Sequence, residues 1–327
     1  MDLSICILTH SQPELLPECV TSCVQEIESS RLSGEILVVD NASADSYPGR
    51  CVALSPMVRV LRSEENLGFS AANNRAIRAS RGQYVLILND DALLNKGSLR
   101  LMIERLESSP GLAAVGPKFL NPDGSPQKGF TNACFPQLRH IVCQILMLEP
   151  LLERNAWTRD ALTVCRNPEK SGEAEHLAGA CLLARREALD AIGLFDEGFY
   201  YFYEDVDLCF RLRRAGWGVV YLAEARVTHY GSASFKELSW SEKRAIYFRS
   251  LLYYFKKHSS RAKYILVRLT LRLVLLVSLC QRALSGVVRG RVTYEGLRDE
   301  TRANFRLLRL VFRVDTAPAA REGSSKS

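Results

Sequence analysis

The sequence predicts an α/β fold, a mostly parallel sheet flanked by helices, with a basic helical appendage at the C-terminal end. In the first half of the chain, short apolar runs alternate with amphipathic stretches, which is the pattern of successive βα units. Two of these runs end directly in aspartates, as strands do at the carboxyl edge of an open sheet. Beyond residue 242 the chain changes to long segments rich in Arg, Leu and Val, which predicts helices.

The apolar runs predict the strands and the amphipathic stretches predict the helices between them. Strands are predicted over residues 3–8, 35–39, 58–61, 84–88, 112–116, 176–184 and 219–222, with a further strand edge over 225–229. Helices are predicted over residues 13–28, 69–80, 97–109, 186–192 and 204–215. The tetrapeptide Asn121-Pro122-Asp123-Gly124 is a strong turn signal.

These segments divide the chain into a main domain, a helical region and a tail. The main α/β domain is predicted over residues 1–240, and a length of 327 residues fits one large domain with an appendage. Within it, residues 125–175 mix Pro, Gly and charge around one apolar stretch, and we expect a variable insertion with a helix over 141–152. Residues 241–315 form a predicted basic amphipathic helical region, and residues 316–327 a disordered tail.

Charge is distributed unevenly along the chain. Residues 1–242 contain 24 Lys and Arg against 31 Asp and Glu, a net charge of −7, while residues 243–313 contain 17 against 3, a net charge of +14. A basic block this concentrated indicates an anionic partner, either phospholipid or nucleic acid. The ten cysteines lack paired metal-site spacing and the chain starts without a signal peptide, so we expect reduced, buried thiols in a cytoplasmic protein.

Acidic side chains at two strand ends are the first candidates for chemistry. Asp40 follows one apolar run, and Asn89, Asp90 and Asp91 follow another. Adjacent carboxylates at a strand end suit Mg²⁺ or Mn²⁺ held together with substrate phosphates, and such a metal offsets charge on a departing diphosphate. The sequence has no glycine-rich phosphate loop, so a bound phosphate would depend on a metal. The alternative is that these acids form turns or cap helices.

An aromatic run over residues 199–203 leads into a predicted helix with an acidic first turn, Glu204, Asp205 and Asp207. Aromatic rings beside carboxylates are typical of a sugar-binding wall with a general base, and burial against the rings would raise the carboxylate pKa. The helix dipole alone explains at least one of these acids. His229 closes the strand edge over 225–229 and is either a metal ligand or a structural histidine. These residues together predict an α/β enzyme that uses a metal and a diphosphate.

Four segments in this order resemble the family 2 glycosyltransferases, which have a GT-A, Rossmann-like fold, and especially the bacterial rhamnosyltransferase-like members. The segments are ILVVDNASAD (36–45), ENLGFSAANN (65–74), LILNDDA (86–92) and EDVDL…RRAGW (204–217). The resemblance covers about residues 3–235. It implies inverting transfer of a sugar from a nucleoside diphosphate, with dTDP-rhamnose the leading donor, to a hydroxyl of a glycan or lipid-linked glycan in cell-surface polysaccharide synthesis.

The resemblance also implies roles for individual residues. Donor contacts are implied for Thr9, Asp40, Asn41, Ser43, Asn66, Gly68, Phe69, Asn74, Asn89 and Asp90. Acceptor contacts are implied for Gly179, Ala180, Tyr203 and Trp217. Asp91 matches the second acid of the family's Asp-x-Asp motif and would hold the divalent metal, Mg²⁺ or Mn²⁺, with His229. Asp205 matches the catalytic base, and Glu204 would support the acceptor pocket. The chain departs from the family at Thr9-His10, where relatives often have Tyr-Asn, and over 125–175.

The basic stretch over residues 264–288 predicts an in-plane interfacial helix. Its longest uncharged run, 273–281, has nine residues, far below the ~20 needed to span a bilayer. Arg268 and Arg272 lie one turn apart on an apolar body, which suits an anionic membrane surface. We therefore expect a peripheral protein on the inner face of the cell membrane. The alternative is packing on the main domain or on a second subunit in a homo-oligomer; nucleic acid is not expected, because no recognition motif accompanies the charge.

Two other functions are compatible with part of this pattern. A nucleotidyltransferase has a similar core and metal, but would carry a glycine-rich, basic loop where this chain has Thr9-His10-Ser11-Gln12-Pro13. A catalytically inactive, membrane-associated scaffold that binds nucleotide sugar would be expected to lose Asp91, Asp205 and His229, which this chain retains.

Overall fold

The computed structural model describes most of the chain, in two compact units. The described residues are 1–10, 14–44, 47–127, 134–138, 142, 168–231 and 240–289, with side chains of the last segment described over 242–277. The first unit comprises residues 1–135, 164–200 and 204–237, and the second comprises 136–163, 201–203 and 238–327. The helix expected over 141–152 and the tail over 316–327 lie outside the described residues.

The first unit is built on one sheet, with nine strands in its described part. The strands are β1 (Leu3–Thr9), β2 (Gly34–Asn41), β3 (Val58–Ser63), β4 (Tyr84–Asn89), β5 (Ala92–Leu94), β6 (Leu112–Leu120), β7 (Gly172–Glu173), β8 (Cys181–Arg185) and β9 (Gly218–His229). Its described helices are α1 (Leu16–Ser30), α2 (Tyr47–Arg50), α3 (Gly68–Ala79), α4 (Ser98–Glu107), α5 (Arg186–Ile192) and α6 (Glu204–Arg214), with a 3₁₀ turn over Cys51–Leu54.

The strand order brings the carboxyl ends of six strands to one edge of the sheet. The order is β3-β2-β1-β4-β8-β6-β9-β5, and β7 pairs with β9. The first four strands are mutually parallel, β8 runs antiparallel to both β4 and β6, and β6 and β9 are parallel. Strands β1, β2, β3, β4, β6 and β9 therefore all end at the same edge, which we call the site edge, and β8 begins there.

The predicted α/β fold is confirmed, but the sheet is more mixed than the sequence indicated. β6 ends at the site edge, and the long connection that follows returns the chain to that same edge before β8. β8 must therefore run away from the site edge, antiparallel to its neighbours. The apolar runs over 219–222 and 225–229 belong to one strand, β9. Its pairing with β6 is irregular between them, since Pro117 pairs with Leu222 and the next residue, Lys118, pairs with Arg226.

Burial explains why the central strands read as continuous apolar runs. All seven residues of β1 are buried, as are seven of the eight residues of β2, because α3 packs on both strands and α1 lies against the sheet as well. Of the seven cysteines that the structure describes as free thiols, six are buried, Cys6 and Cys181 among them. Because helices bury the faces of the central strands, polar side chains of these strands are accommodated mainly at the strand ends.

The second unit contains two long helices in its described part, α7 (Trp240–His258) and α8 (Arg261–Arg289), which pack on each other. Apolar side chains buried in this unit are Phe248, Leu251, Leu252, Phe255, Tyr264, Val267, Leu271, Val274 and Leu275. Within the described part of the chain, neither these helices nor any other combines the length and apolar character needed to cross a membrane.

Candidate active site

Polar residues converge at the site edge because the strands that carry them end together. Thr9 closes β1, Asn41 closes β2 directly after Asp40, Asn89 closes β4 directly before Asp90, and His229 closes β9. The strand pairing shows that two of these ends are level with each other, since Thr9 of β1 pairs with Asp40 of β2. Residues from distant segments are thus brought to one edge of the sheet.

Two of the family-like segments are joined by a pair of asparagine side chains. The amide of Asn41 donates a hydrogen bond to Oδ1 of Asn66 (2.9 Å), and its own Oδ1 accepts one from the N–H of Leu67 (2.8 Å). Oδ1 of Asn66 also accepts from the N–H of Gly68 (2.9 Å). These bonds fix the end of β2 to the start of α3, so both asparagines organise the edge where donor contacts were predicted.

Asp40, near the end of β2, binds the residues that follow this strand. Its Oδ1 accepts a hydrogen bond from the N–H of Ser43 (2.9 Å), and its Oδ2 lies 3.5 Å from the guanidinium of Arg62. Asp40 and Ser43 are buried, while the Arg62 side chain is about half exposed. Arg62 was missed from the sequence, although its position directly after an apolar run and its register opposite Asp40 place it at this edge.

The Asn74 side chain bonds α3 to residues 195–197. Its amide donates to the carbonyl of Phe195 (2.9 Å) and to Glu197 (2.9 Å), and its Oδ1 accepts from the N–H of Phe195 (3.0 Å). The buried side chain is thereby engaged with the loop after α5. The resemblance implied a donor contact for Asn74, and the structure shows its side chain bonded to the loop that leads toward Glu204.

Gly68 is packed against the same loop. Its φ is +75°, and a Cβ atom built on it would lie 2.4 Å from the ring and 2.7 Å from the carbonyl oxygen of Tyr200. The N–H of Phe69 donates to that carbonyl (2.7 Å). Gly68, for which the resemblance implied a donor contact, therefore lies in close contact with Tyr200 of the chain itself.

We expect Gly68→Ala to lower the free energy of unfolding by about 2–5 kcal/mol, because the methyl group adds a steric conflict of about 1–3 kcal/mol to the cost of positive φ. Gly97→Ala is the matched control, since Gly97 has φ +80° and open space around its Cβ position. It should cost about 1–2 kcal/mol. Urea unfolding of both variants measures the difference, and equal losses would show that the contact with Tyr200 contributes nothing.

Asp90 and Asp91 are adjacent and both buried, yet their surroundings differ. Asp90 accepts hydrogen bonds from the hydroxyl of Thr9 and the backbone N–H of His10, and burial raises the pKa of Asp90 to about 8 with a further contribution from the charge of Asp91. The Thr9 hydroxyl lies 2.9 Å from the hydroxyl of Tyr47. Asp90 is thus turned toward β1 and is largely protonated at neutral pH.

Asp91 faces His229 across the end of the sheet. Its Oδ1 lies 3.3 Å from Nε2 of His229, both side chains are about 3% exposed, and Oδ1 has no hydrogen-bond partner within the described chain. One carboxylate oxygen and one imidazole nitrogen fit a divalent cation that takes its remaining ligands from phosphates and water. Among the described residues, no cluster of three or more His, Cys, Asp or Glu side chains able to hold an ion is found.

Asp205 stands in the first turn of α6, half-buried. Its Oδ2 accepts a hydrogen bond from the N–H of Gly179 (2.9 Å) and its Oδ1 from the N–H of Val206 (2.7 Å). A helix N-terminus favours a negative charge there. Glu204, one residue earlier, is buried, and burial followed by the charge of Asp205 raises its pKa well above the ordinary range. The two neighbouring acids are therefore distinct, and Asp205 is the one with access to solvent.

The residues implied in acceptor binding fall in different places. Gly179 bonds to Asp205, and a Cβ atom on it would lie 3.2 Å from the ring of Phe69, while the carbonyl of Ala180 accepts from the N–H of Asn89 (2.9 Å). Tyr203 belongs to the second unit, where its hydroxyl lies 3.1 Å from that of Tyr247.

Trp217 is not brought to the site edge. It follows the C-terminal end of α6, where its N–H donates to the carbonyl of Leu212, and it directly precedes β9. β9 has twelve residues, a length of about 35–40 Å at ~3.3 Å per residue, and its far end carries His229. Trp217 therefore lies at the opposite edge of the sheet.

Glu35, a buried acid at that opposite edge, has a hydrogen-bond or ion-pair partner for each of its carboxylate oxygens. Oε1 of Glu35 accepts from the hydroxyl of Ser4 (2.9 Å) and the N–H of Arg81 (2.7 Å), and Oε2 from the guanidinium of Arg59 (3.0 Å). Burial alone would raise the pKa of Glu35, but these hydrogen bonds and the arginine charges hold it below its ordinary value.

Three other acids of the first unit differ from Glu35, because one carboxylate oxygen of each has no hydrogen-bond partner among the described residues. In the described part of the chain, Oδ2 of Asp90, Oδ1 of Asp91 and Oε2 of Glu204 are buried without a hydrogen-bond partner. Unsatisfied buried carboxylate oxygens are rare in folded proteins, and those among the described residues belong to these three acids, which supports a ligand that completes them. This contrast marks the site edge as the candidate active site.

Comparisons with known proteins identify the family of this chain. The family profile described as Glycosyl transferase family 2 matches residues 4–193. An N-acetylglucosaminyl-diphospho-decaprenol L-rhamnosyltransferase of Mycobacterium tuberculosis is 33% identical over 216 residues, which are 61% of this chain and 67% of the relative. The low-salt glycan biosynthesis hexosyltransferase Agl10 of Haloferax volcanii is 27% identical over 219 residues, 65% of this chain and 62% of the relative.

Solved structures show the same fold. Mannosyltransferase PcManGT from Pyrobaculum calidifontis, in complex with GDP-Man and Mn²⁺, gives a TM-score of 0.55 at 16% identity over 95% of this chain and 86% of that chain. TarS 1-349 of S. aureus, in complex with UDP-GlcNAc, gives a TM-score of 0.54 at 17% identity over 95% of this chain and 82% of that chain. At this identity the likeness bears on the fold alone, and it confirms the GT-A arrangement expected from the sequence.

Proposed function

Because the chain belongs to the family 2 glycosyltransferases and acts in glycan or polysaccharide biosynthesis, we propose that it transfers a sugar, with inversion, from a nucleoside diphosphate to a hydroxyl of a lipid-linked glycan. One observation carries this proposal. Asp205 is bonded to Gly179, and the next residue, Ala180, is bonded to Asn89, two residues before Asp91. One bond to the Asp205 side chain and one bond between backbone groups thus link this half-buried carboxylate to the strand end that carries the candidate metal ligand.

Asp205 has the properties of the general base. Its carboxylate is held by the N–H of Gly179 and lies at a helix N-terminus, in a position to accept the proton of an acceptor hydroxyl. As that proton moves to Asp205, the acceptor oxygen forms a bond to the anomeric carbon and the bond from that carbon to the diphosphate breaks. Attack from the face opposite the diphosphate inverts the configuration. Burial raises the pKa of the neighbouring Glu204 well above the ordinary range, which disfavours a second negative charge beside Asp205.

Asp91 and His229 would hold a divalent cation, Mg²⁺ or Mn²⁺, which when bound stabilises the charge that develops on the departing diphosphate. The donor nucleotide would lie along the end of β2 and the start of α3, where Asp40, Asn41 and Asn66 organise the backbone. We propose dTDP-rhamnose as the donor, supported by the rhamnosyltransferase relative, and a glycan on a lipid diphosphate as the acceptor, supported by that relative's decaprenol-linked acceptor.

Product analysis with a panel of donors tests this function. The full chain is incubated with Mn²⁺, a lipid-linked N-acetylglucosaminyl diphosphate and, in turn, dTDP-rhamnose, UDP-GlcNAc and GDP-mannose. We expect a glycosylated lipid and release of dTDP from the first donor alone. A parallel incubation supplies a nucleoside triphosphate and a sugar phosphate, and formation of a nucleotide sugar there would indicate a nucleotidyltransferase. Donor binding without any product in either incubation would indicate an inactive scaffold.

A lipid-linked acceptor requires the enzyme to reach a membrane, and we propose that α8 makes this contact. Side chains on one face of α8 are buried, and the opposite face is apolar yet exposed: Ile265, Leu266, Leu269, Leu273, Leu276 and Val277, with exposed fractions from 37% to 62%. Contiguous exposed apolar side chains of this kind mark an interaction surface. The four exposed basic residues near the α7–α8 turn, Lys256, Lys257, Arg261 and Lys263, complement an anionic surface, which favours phospholipid on the inner face of the cell membrane.

Leu273→Glu combined with Leu269→Glu is expected to abolish flotation of the full chain with phosphatidylglycerol vesicles, because two charges on the exposed face oppose insertion among acyl chains. The matched control is Leu101→Glu, which places the same change on an exposed leucine of α4. This control should float like the unaltered chain. Absence of flotation by the unaltered chain, together with a dimer in sedimentation that the double variant disrupts, would assign this face to a second copy instead.

A further inference from the structure

The turn over residues 121–124 returns the chain from β6 toward the candidate metal ligands. The N–H of Asn121 donates to the carbonyl of Ser125 (2.8 Å), and the N–H of Gly124 donates back to the carbonyl of Asn121 (2.8 Å). Oδ1 of Asp123 accepts from the N–H and the hydroxyl of Ser125 (2.9 and 2.6 Å). The chain then pairs back on β6, with the N–H of Gln127 donating to the carbonyl of Phe119 (2.9 Å). The turn thereby places Gln127 beside His229.

The orientation of the Gln127 amide follows from its partners. Its Nε2 lies 3.2 Å from the backbone carbonyl oxygen of His229 and 3.3 Å from Oδ1 of Asn121. A backbone carbonyl can only accept a hydrogen bond, so the NH₂ group must be the atom that faces it. The other amide atom, Oε1, then lies 2.7 Å from Nδ1 of His229.

This orientation determines which nitrogen of His229 carries the proton. Oε1 of Gln127 can only accept, so Nδ1 of His229 must donate to it. In the neutral ring the proton is then absent from Nε2, whose lone pair is directed to the side where Oδ1 of Asp91 lies, 3.3 Å away. Two electron-rich atoms at this distance form a pair of ligand atoms rather than a hydrogen bond.

We infer that Gln127 is a positioning residue that holds His229 in the Nδ1–H tautomer and so prepares Nε2 and Asp91 to bind a divalent cation together. The inference rests on the metal-dependent transfer proposed above. Groups that hold the second nitrogen of a ligating histidine fix its tautomer and ring orientation, and their loss typically weakens metal binding by about 10–100-fold. Without Gln127, the alternative tautomer would donate from Nε2 to Asp91, and that bond would have to break before a cation binds.

The tautomer can be measured without any metal. The full chain, with its five histidines labelled with ¹⁵N, is studied by long-range ¹H–¹⁵N correlation spectroscopy at a pH where the ring is neutral, and the His229 signals are assigned by their loss in His229→Gln. We expect an Nδ1–H pattern in the unaltered chain and an Nε2–H or mixed pattern in Gln127→Leu. An Nε2–H pattern in the unaltered chain would overturn the inference.

Metal affinity provides the second measurement, with free Mn²⁺ followed by electron paramagnetic resonance and Mn²⁺ alone as the probe. Gln127→Leu and Gln127→Ser should each raise the dissociation constant about 10–100-fold. Gln83→Leu is the matched control, because Gln83 is exposed at the start of β4, and it should leave the constant unchanged. If Asp91→Asn removes Mn²⁺ binding and neither Gln127 variant weakens it, this inference fails while the proposed function stands. If Asp91→Asn binds Mn²⁺ normally, the proposed metal site itself fails.

Discussion

Asp205→Asn is expected to lower kcat by about 10²–10⁴-fold, the contribution typical of a positioned general base, with the dissociation constant of the donor nearly unchanged. The amide keeps the shape of the side chain and can still accept the hydrogen bond from Gly179, but it cannot take a proton. Steady-state kinetics with dTDP-rhamnose, combined with calorimetric titration of dTDP, separate the two quantities. Equal losses of turnover and donor affinity would contradict the assignment of Asp205 as the base.

Glu204→Gln is the matched control for that experiment, because the two acids are adjacent in the first turn of α6. Burial raises the pKa of Glu204 well above the ordinary range, which favours the neutral form that glutamine imitates. We expect Glu204→Gln to retain turnover within about tenfold, well above the level of Asp205→Asn. A reversed order of the two variants would assign the proton transfer to Glu204.

Asp91→Asn is expected to lower kcat by about 10²–10³-fold, the cost typical of losing one group that stabilises transition-state charge. It should also remove the stabilisation that Mn²⁺ and dTDP together give to the folded chain. At a ligand concentration of ~100 times the dissociation constant this stabilisation is ~2.7 kcal/mol, so its loss is readable in a thermal unfolding experiment. An Asp91→Asn variant that keeps Mn²⁺-dependent activity would contradict the metal assignment.

Asp90→Asn serves as the control at the neighbouring position. Asp90 is turned toward Thr9 and His10, and burial raises its pKa to about 8, so asparagine resembles the protonated side chain that predominates at pH 7. We expect Asp90→Asn to retain Mn²⁺-dependent stabilisation by dTDP. If Asp90→Asn loses that stabilisation and Asp91→Asn keeps it, Asp90 is the metal ligand.

These two pairs of acids show the limit of reading a site from sequence. The strand that ends in Asn89-Asp90-Asp91 and the helix that begins with Glu204-Asp205 were both predicted from local patterns, and the structure places both at the site edge. Within each pair, composition and spacing alone offer two equivalent carboxylates, and the family resemblance implied Asp91 and Asp205. The structure shows how their surroundings differ, because Asp90 and Glu204 have raised pKa values whereas Asp91 faces His229 and Asp205 faces Gly179.

Contacts between distant segments explain what else the sequence left undetermined. Asn74 and Gly68 lie in a segment whose resemblance implied donor contacts, but they hold the loop carrying Phe195 and Tyr200, and Asn74 is 121 residues from Phe195. Gln127 bonds to His229 over 102 residues and follows a turn whose sequence indicates only a change of direction. Trp217 matches a family motif but lies at the opposite end of β9 from His229.

The sequence by itself determined the α/β class, the positions of most strands and helices, and the carboxylates placed where strands end. These features follow from hydrophobic periodicity, turn residues and β-propensity, which act over a few neighbouring residues and can be read locally. Tertiary structure alone decided that β8 runs antiparallel, how the surroundings of the two acids in each pair differ, and that Gln127 meets His229. Those outcomes depend on burial and on hydrogen bonds between segments far apart in the chain, and no local pattern carries that information.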